Sequence, residues 1–64
     1  MNVELTIKDK DGRTICENER YDLEELKHSP AFSAEERSQM DVFYVGQDAT
    51  TIFRGDSQFI LVRA

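Results

Sequence analysis

A single proline divides the middle of this chain and limits helical structure there to two short segments. Before Pro30, Asp22 can accept from the free amides of a first helical turn, and Glu25 completes a capping box. The residue before a proline avoids the α-helical region, so this helix ends after about two turns. Ser33 and Glu36 form a second capping box, which predicts another short helix to about residue 40.

Strand-like patterns lie on both sides of this helical segment. Residues 2–8 alternate polar and apolar side chains, the period expected of a half-buried strand. Residues 9–12 end in a glycine that can take positive φ, which indicates a tight turn. Residues 13 to about 18 return as a second strand that is expected to point Ile15 inward. The N-terminus is therefore predicted to be a β-hairpin.

The last third of the chain is rich in β-branched and aromatic residues. Residues 41–46, 50–54 and 58–63 are predicted to form three strands, and their connections are too short for crossovers. The expected fold class is α+β, as one small domain over residues 1–64. Its order is an N-terminal β-hairpin, one or two short helices and a three-stranded antiparallel meander, written ββααβββ.

The small size of the chain restricts how it can be stabilised. A domain of 64 residues buries only about 60% of its unfolded surface. Cys16 is the only cysteine and His28 the only histidine, so neither a disulfide nor a structural metal is predicted. The unpaired cysteine, and an N-terminus without the apolar stretch of a signal peptide, favour a cytoplasmic protein. The expected setting is a microbe or a virus-infected host cell.

Negative charge is concentrated in one segment. Residues 17–36 hold seven acidic and two basic side chains, and this difference accounts for the whole net charge of −5. The segments before and after it are each neutral. This balance disfavours direct binding to nucleic acid or to an anionic membrane.

Apolar residues in the last third exceed what one covered sheet face needs. Residues 42–45, 52–53 and 59–62 are consecutive apolar runs, so both faces of the sheet receive apolar side chains. Two short helices cover only one face. Either the sheet curves strongly into a partial barrel, or the second face meets another chain. The residues assigned to such an apolar interface are Phe43, Val45, Phe53, Phe59 and Leu61.

Motifs that carry catalytic or ligand chemistry are weak in this sequence. Cys16 and His28 are the only pair suited to nucleophilic catalysis, and a chain of this size lacks space for a substrate cleft. The turn at residues 9–12 lacks the later oxygen ligands of a calcium loop. The tripeptide Arg-Gly-Asp at 54–56 is explained by a turn between strands. We therefore expect no enzyme activity, no catalytic residues and no cofactor.

The uneven charge and the surplus of apolar residues together predict a small acidic protein-binding module. It would be an inhibitor or adaptor of the kind that phages and mobile elements carry, steered toward a basic protein surface. A nucleic-acid-binding protein is one such partner. The predicted partner-binding residues are Glu17, Glu19, Asp22, Glu24, Glu25, Glu35 and Glu36. The alternative is a structural or assembly subunit that forms a homodimer through its apolar sheet face, with the acids as a solvated surface.

Overall fold

The predicted N-terminal hairpin is present and forms half of a four-stranded antiparallel sheet. The computed structural model describes residues 1–64. The elements follow one another as β1 (Asn2–Lys8), β2 (Thr14–Asp22), α1 (Leu23–Lys27), α2 (Ala34–Met40), a 3₁₀-helix (Asp41–Val45), β3 (Ala49–Arg54) and β4 (Ser57–Arg63). The fold is therefore α+β, as the sequence predicts.

The strand order is β2-β1-β4-β3, and this corrects the predicted meander. β3 and β4 form a hairpin, and β4 then pairs with β1, where Leu61 lies opposite Leu5. The C-terminal part thus contributes two strands, not three. The sheet is open, with β2 and β3 as its edges, and it does not close into a partial barrel.

The segment predicted as a strand at residues 41–46 is the 3₁₀-helix, which continues directly from α2. Met40 and Phe43 are both buried, and their spacing of three residues places them on the same side of a 3₁₀ turn. Gly46 ends the helix with a φ of 93°, and its N–H donates to the carbonyl of Val42. Burial on one helical face therefore outweighs the strand propensity of this run.

Both helix starts are capped by the predicted residues, but only the second forms the complete capping box that the sequence predicts for both. The Asp22 side chain accepts from the Glu25 N–H at 3.3 Å. The Ser33–Glu36 box is complete, because each side chain accepts from the backbone N–H of the other residue. Neither α1, α2 nor the 3₁₀-helix is long and apolar enough to cross a membrane.

The core lies between one face of the sheet and the helices. Its nine buried side chains are all hydrophobic, so no buried polar group needs a partner. They are Val3, Leu5, Leu23, Leu26, Phe32, Met40, Phe43, Ile52 and Leu61. Because the helices cover only this face, the opposite sheet face stays uncovered.

Ile15 does not point inward as predicted, and its exposed fraction is 65%. The cause is an irregularity in β2, where Glu19 pairs with Leu5 but Cys16 pairs with Ile7. The extra residue in β2 coincides with Asn18, whose φ is 52°. A bulge of one residue exchanges the two faces of a strand, so Cys16 takes the core side. A second register shift follows between the pairs Ile7–Cys16 and Lys8–Thr14, and it leaves Ile15 without a partner in β1.

Candidate protein-interaction surfaces

The uncovered sheet face carries apolar side chains from β3 and β4. Phe53 is 69% exposed and Val62 is 42% exposed. The register pairs Thr51 with Ile60, and these residues share a face with Phe53 because side chains alternate along each strand. We refer to this surface as the open face, formed by Ala49, Thr51, Phe53, Ile60 and Val62.

Two residues assigned to an apolar interface are in the core. Phe43 is only 1% exposed, and Leu61 is fully buried opposite Leu5, so neither can contact another chain. Phe59 shares the helix-covered face of β4 and is half-buried. Val45 and Phe53 are exposed, at the end of the 3₁₀-helix and on the open face.

The sequence prediction missed Ile60 and Val62, which belong to the open face. It selected Phe59 and Leu61, which alternate with Ile60 and Val62 along β4 and point to the opposite, helix-covered face. An unbroken apolar run carries no sign of which alternate set is covered. The polar partners of Ile60 and Val62 in β1, Thr6 and Glu4, would have identified the exposed face once the strand pairing was known.

The seven carboxylates predicted to bind a partner fall into two groups. Five lie along β2 and α1, which are consecutive in the chain, and we refer to these as the acidic edge: Glu17, Glu19, Asp22, Glu24 and Glu25. The other two, Glu35 and Glu36, lie in the first turn of α2. The acidic edge therefore follows an edge strand of the sheet into the first helix.

Some of these carboxylates are used by the fold and others are not. Asp22 caps α1 and lies 3.6 Å from the N-terminal amine. Glu19 accepts a hydrogen bond of 2.6 Å from the Tyr21 hydroxyl, and this contact lowers the pKa of the Glu19 carboxyl. Glu17, Glu24 and Glu25 are exposed and form no ion pair within the chain. These three, together with Glu35 at the start of α2, are the carboxylates of the predicted set that remain available to another molecule.

Glu36 belongs to an internal network that joins α2 to β3. The Arg54 guanidinium donates to both of its carboxylate oxygens, at 2.9 and 3.2 Å, and to the Ala31 carbonyl at 2.7 Å. The same guanidinium lies over the rings of Phe59 and Phe32, 4.7 and 5.5 Å from their centres. Glu36 is therefore a structural residue, and the first residue of the Arg-Gly-Asp tripeptide is bound within the chain.

Hydrogen bonds from Arg54, and then from the backbone of Ser33, lower the pKa of Glu36 from 4.5 to about 2. A carboxyl whose pKa is lower in the folded state stabilises the fold above its unfolded pKa. That contribution is lost as the pH falls from 4.5 toward 2. We therefore expect Glu36→Gln to be less stable than wild type at neutral pH and to lose less stability across this acidic range.

Urea denaturation at several pH values between about 6 and 2.5 measures this difference. Glu35→Gln is the matched control, because it removes the same charge from the adjacent residue, which forms no ion pair. Its stability should follow the wild-type pH profile. Parallel profiles for wild type and Glu36→Gln would contradict the assigned role of Glu36.

Cys16 is half-buried, and its thiol lies 3.8 Å from the carbonyl oxygen of Leu5. Burial, and then the neighbouring Glu19, raise the pKa of the Cys16 thiol. The thiolate is the nucleophilic form, so a raised pKa lowers reactivity at neutral pH. The His28 Nδ1 atom lies 2.7 Å from the Glu24 carbonyl oxygen, at the end of α1. Cys16 and His28 are thus hydrogen-bonded to different parts of the chain and not to each other.

A shallow depression of about 350 Å³ lies between α1 and α2. Lys27 forms an ion pair with Asp41 beside it and lies 5.0 Å from the centre of the Tyr44 ring. Arg37 donates to the Phe32 carbonyl at 2.9 Å. The Lys27 ion pair therefore links α1 to the start of the 3₁₀-helix, and the Arg37 hydrogen bond links α2 to the segment that precedes it.

Comparisons with protein-family models, with curated proteins and with solved structures found no match to this chain. No three His, Cys, Asp or Glu side chains are grouped so that they could hold a metal ion. The two surfaces with unused binding capacity are the acidic edge, through its unpaired carboxylates, and the open face, through its exposed apolar side chains.

Proposed function

We propose that this chain is a small protein-binding module whose acidic edge engages a partner with a basic surface. The observation that carries the proposal is that Glu17, Glu24 and Glu25 are exposed without an ion pair in the chain. Asp22 and Glu36, by contrast, are held by contacts that the fold requires. The unpaired carboxylates add little to the fold, and a cationic partner would supply their counter-charges.

The distribution of charge supports electrostatic steering by this surface. The net charge of −5 arises entirely within residues 17–36, and most of these acids lie along β2 and α1. Such a local excess raises the rate of association with an oppositely charged surface more than it raises affinity. A protein that binds nucleic acid is a suitable partner, because carboxylates along a strand and helix can occupy part of a phosphate-binding surface. The module would then act as a competitive inhibitor.

Affinity capture tests this proposal with two variants of equal net charge. Glu24→Gln/Glu25→Gln removes two carboxylates from the acidic edge, and Asp11→Ser/Asp56→Ser removes two from exposed turns elsewhere. Immobilised wild type should retain basic proteins from an extract of the source organism at low salt, about 50 mM. The turn variant should retain the same proteins, whereas the acidic-edge variant should retain much less of them.

Because the two variants have the same net charge, a difference in capture between them can be attributed to the position of the lost carboxylates. Equal losses in both variants would show that total charge, and not the acidic edge, governs capture. An absence of basic proteins among those retained by the wild type would contradict the proposal directly.

A further inference from the structure

β3 is an edge strand whose outer backbone groups have no partner in the chain. The Arg63 N–H donates to the Asp48 carbonyl at 2.8 Å, and the β3–β4 register continues from there without a shift. Backbone groups of successive residues in an antiparallel strand face opposite sides. Those of Thr50, Ile52 and Arg54 therefore face β4, like those of Asp48. The outward groups belong to Ala49, Thr51 and Phe53, and no hydrogen bond within the chain reaches them.

The other edge of the sheet, β2, is protected against strand pairing. It is irregular at Asn18, and its exposed side chains include Glu17, Glu19 and Arg20. Bulges and charges are the features by which edge strands avoid pairing with other chains. From Ala49 to Phe53, β3 has no charged residue, no proline and no bulge. Only β3 is thus open to another strand.

We propose that β3 pairs antiparallel with β3 of a second copy of this chain, which joins two sheets into one of eight strands. A twofold axis at Thr51 brings all outward backbone groups of both copies together, in about six hydrogen bonds. The same register places exposed Phe53 opposite the small Ala49 of the second copy. Val62, the strand neighbour of Ala49, borders that contact. The same register therefore satisfies the outward backbone groups of β3, leaves room for the Phe53 ring and covers apolar surface.

Charge favours the antiparallel direction and this edge. Asp48 precedes β3 and stays largely exposed beside its ion-pair partner Arg63, while Arg54, which is paired with Glu36, ends the strand. Antiparallel pairing brings Asp48 of each copy toward Arg54 of the other, and parallel pairing would align like charges. The strand order also leaves β2 at both outer ends of the eight-stranded sheet, so the acidic edges lie far apart. The dimer would therefore present two acidic edges. The dimer proposal goes beyond the proposed function and does not depend on it.

Sedimentation velocity over a concentration series tests the dimer. Phe53→Lys should raise the dissociation constant of the dimer by about tenfold or more, because it places two cations in the pairing edge. Ile15→Lys is the matched control, since Ile15 is similarly exposed but lies on β2. Its dissociation constant should equal that of the wild type. A wild type that stays monomeric to about 1 mM, or equal weakening by both variants, would overturn the proposal.

Thiol crosslinking tests the register. In a Cys16→Ser background, Thr51→Cys places two thiols at the twofold axis, where paired Cα atoms are about 5.5 Å apart. A short bismaleimide should convert this variant into covalent dimers and should leave Ile15→Cys, made in the same background, largely monomeric. Crosslinking at position 15 without crosslinking at position 51 would show that another surface forms the dimer. Acidic-edge variants should not alter either result, so this inference and the proposed function can fail separately.

Discussion

Replacing Phe43 with alanine is expected to remove a large part of the stability of the fold, or all of it, whereas the same change at Phe53 should leave the stability nearly unchanged. Phe43 is 1% exposed and packs among the buried side chains between sheet and helices. Truncation of a buried phenylalanine costs about 3–5 kcal/mol. The total stability of a domain of this size is about 3–10 kcal/mol. Loss of this one side chain therefore removes a large part of the stability, or all of it.

Urea denaturation followed by far-ultraviolet circular dichroism measures both variants. Phe53 is 69% exposed on the open face, so its truncation should change the free energy of unfolding by about 0.5 kcal/mol or less. The protein concentration should be low, about 1 μM, so that association adds little to stability. Equal destabilisation by the two changes would show that the assignment of Phe43 to the core, and of Phe53 to the surface, is wrong.

The second large effect is expected at Arg54, where alanine should lower the free energy of unfolding by about 2 kcal/mol. The guanidinium donates three hydrogen bonds, two to Glu36 and one to the Ala31 carbonyl. It also covers the Phe59 and Phe32 rings, which meet edge to face at 6.0 Å between centres. The side chain is partly exposed, so solvent screening keeps the loss well below that of a buried pair.

Arg54→Lys separates charge from geometry, because lysine keeps the charge but cannot make the paired hydrogen bonds or lie flat on a ring. We expect it to restore less than half of the loss. Arg20→Ala is the control, since its ion pair with Glu4 at 3.4 Å is more exposed and makes no ring contact. Its effect should stay within about 0.5 kcal/mol. Equal losses for the two alanine variants would contradict the network.

The features that the sequence predicts correctly are local ones. The N-terminal hairpin follows from alternation over residues 2–8 and a glycine turn, and both helix caps follow from residues three positions apart. Each of these signals is complete within a few residues, so no knowledge of distant parts of the chain is needed.

The prediction at residues 41–46 is wrong because strand propensity and helix termination compete there. Valine, phenylalanine and tyrosine favour strands, and a glycine after such a run is typical of the turn that follows a strand. The same glycine is also a suitable helix terminus, and in the structure it directly follows Val45 and ends the 3₁₀-helix. Buried Met40 and Phe43, spaced at three residues, decide the outcome through tertiary packing.

Features that depend on pairing between distant segments could not be predicted. Two register shifts in β2 turn Cys16 to the core side and leave Ile15 exposed, and no motif in the sequence marks them. The contact between Arg54 and Glu36 joins residues 18 positions apart. The sequence therefore predicts a partner-binding role for Glu36 together with the six other acids of residues 17–36, although its carboxylate is bound within the fold.

Steering by the acidic edge is tested most directly by the rate of association with a captured basic partner, measured by stopped flow over a salt series. Removing the Glu24 and Glu25 charges should lower this rate by about three- to tenfold at low salt and flatten its salt dependence. The dissociation rate should change less. Asp11→Ser/Asp56→Ser should retain the wild-type rate and slope. Identical rates and salt dependence for all three proteins would contradict the account.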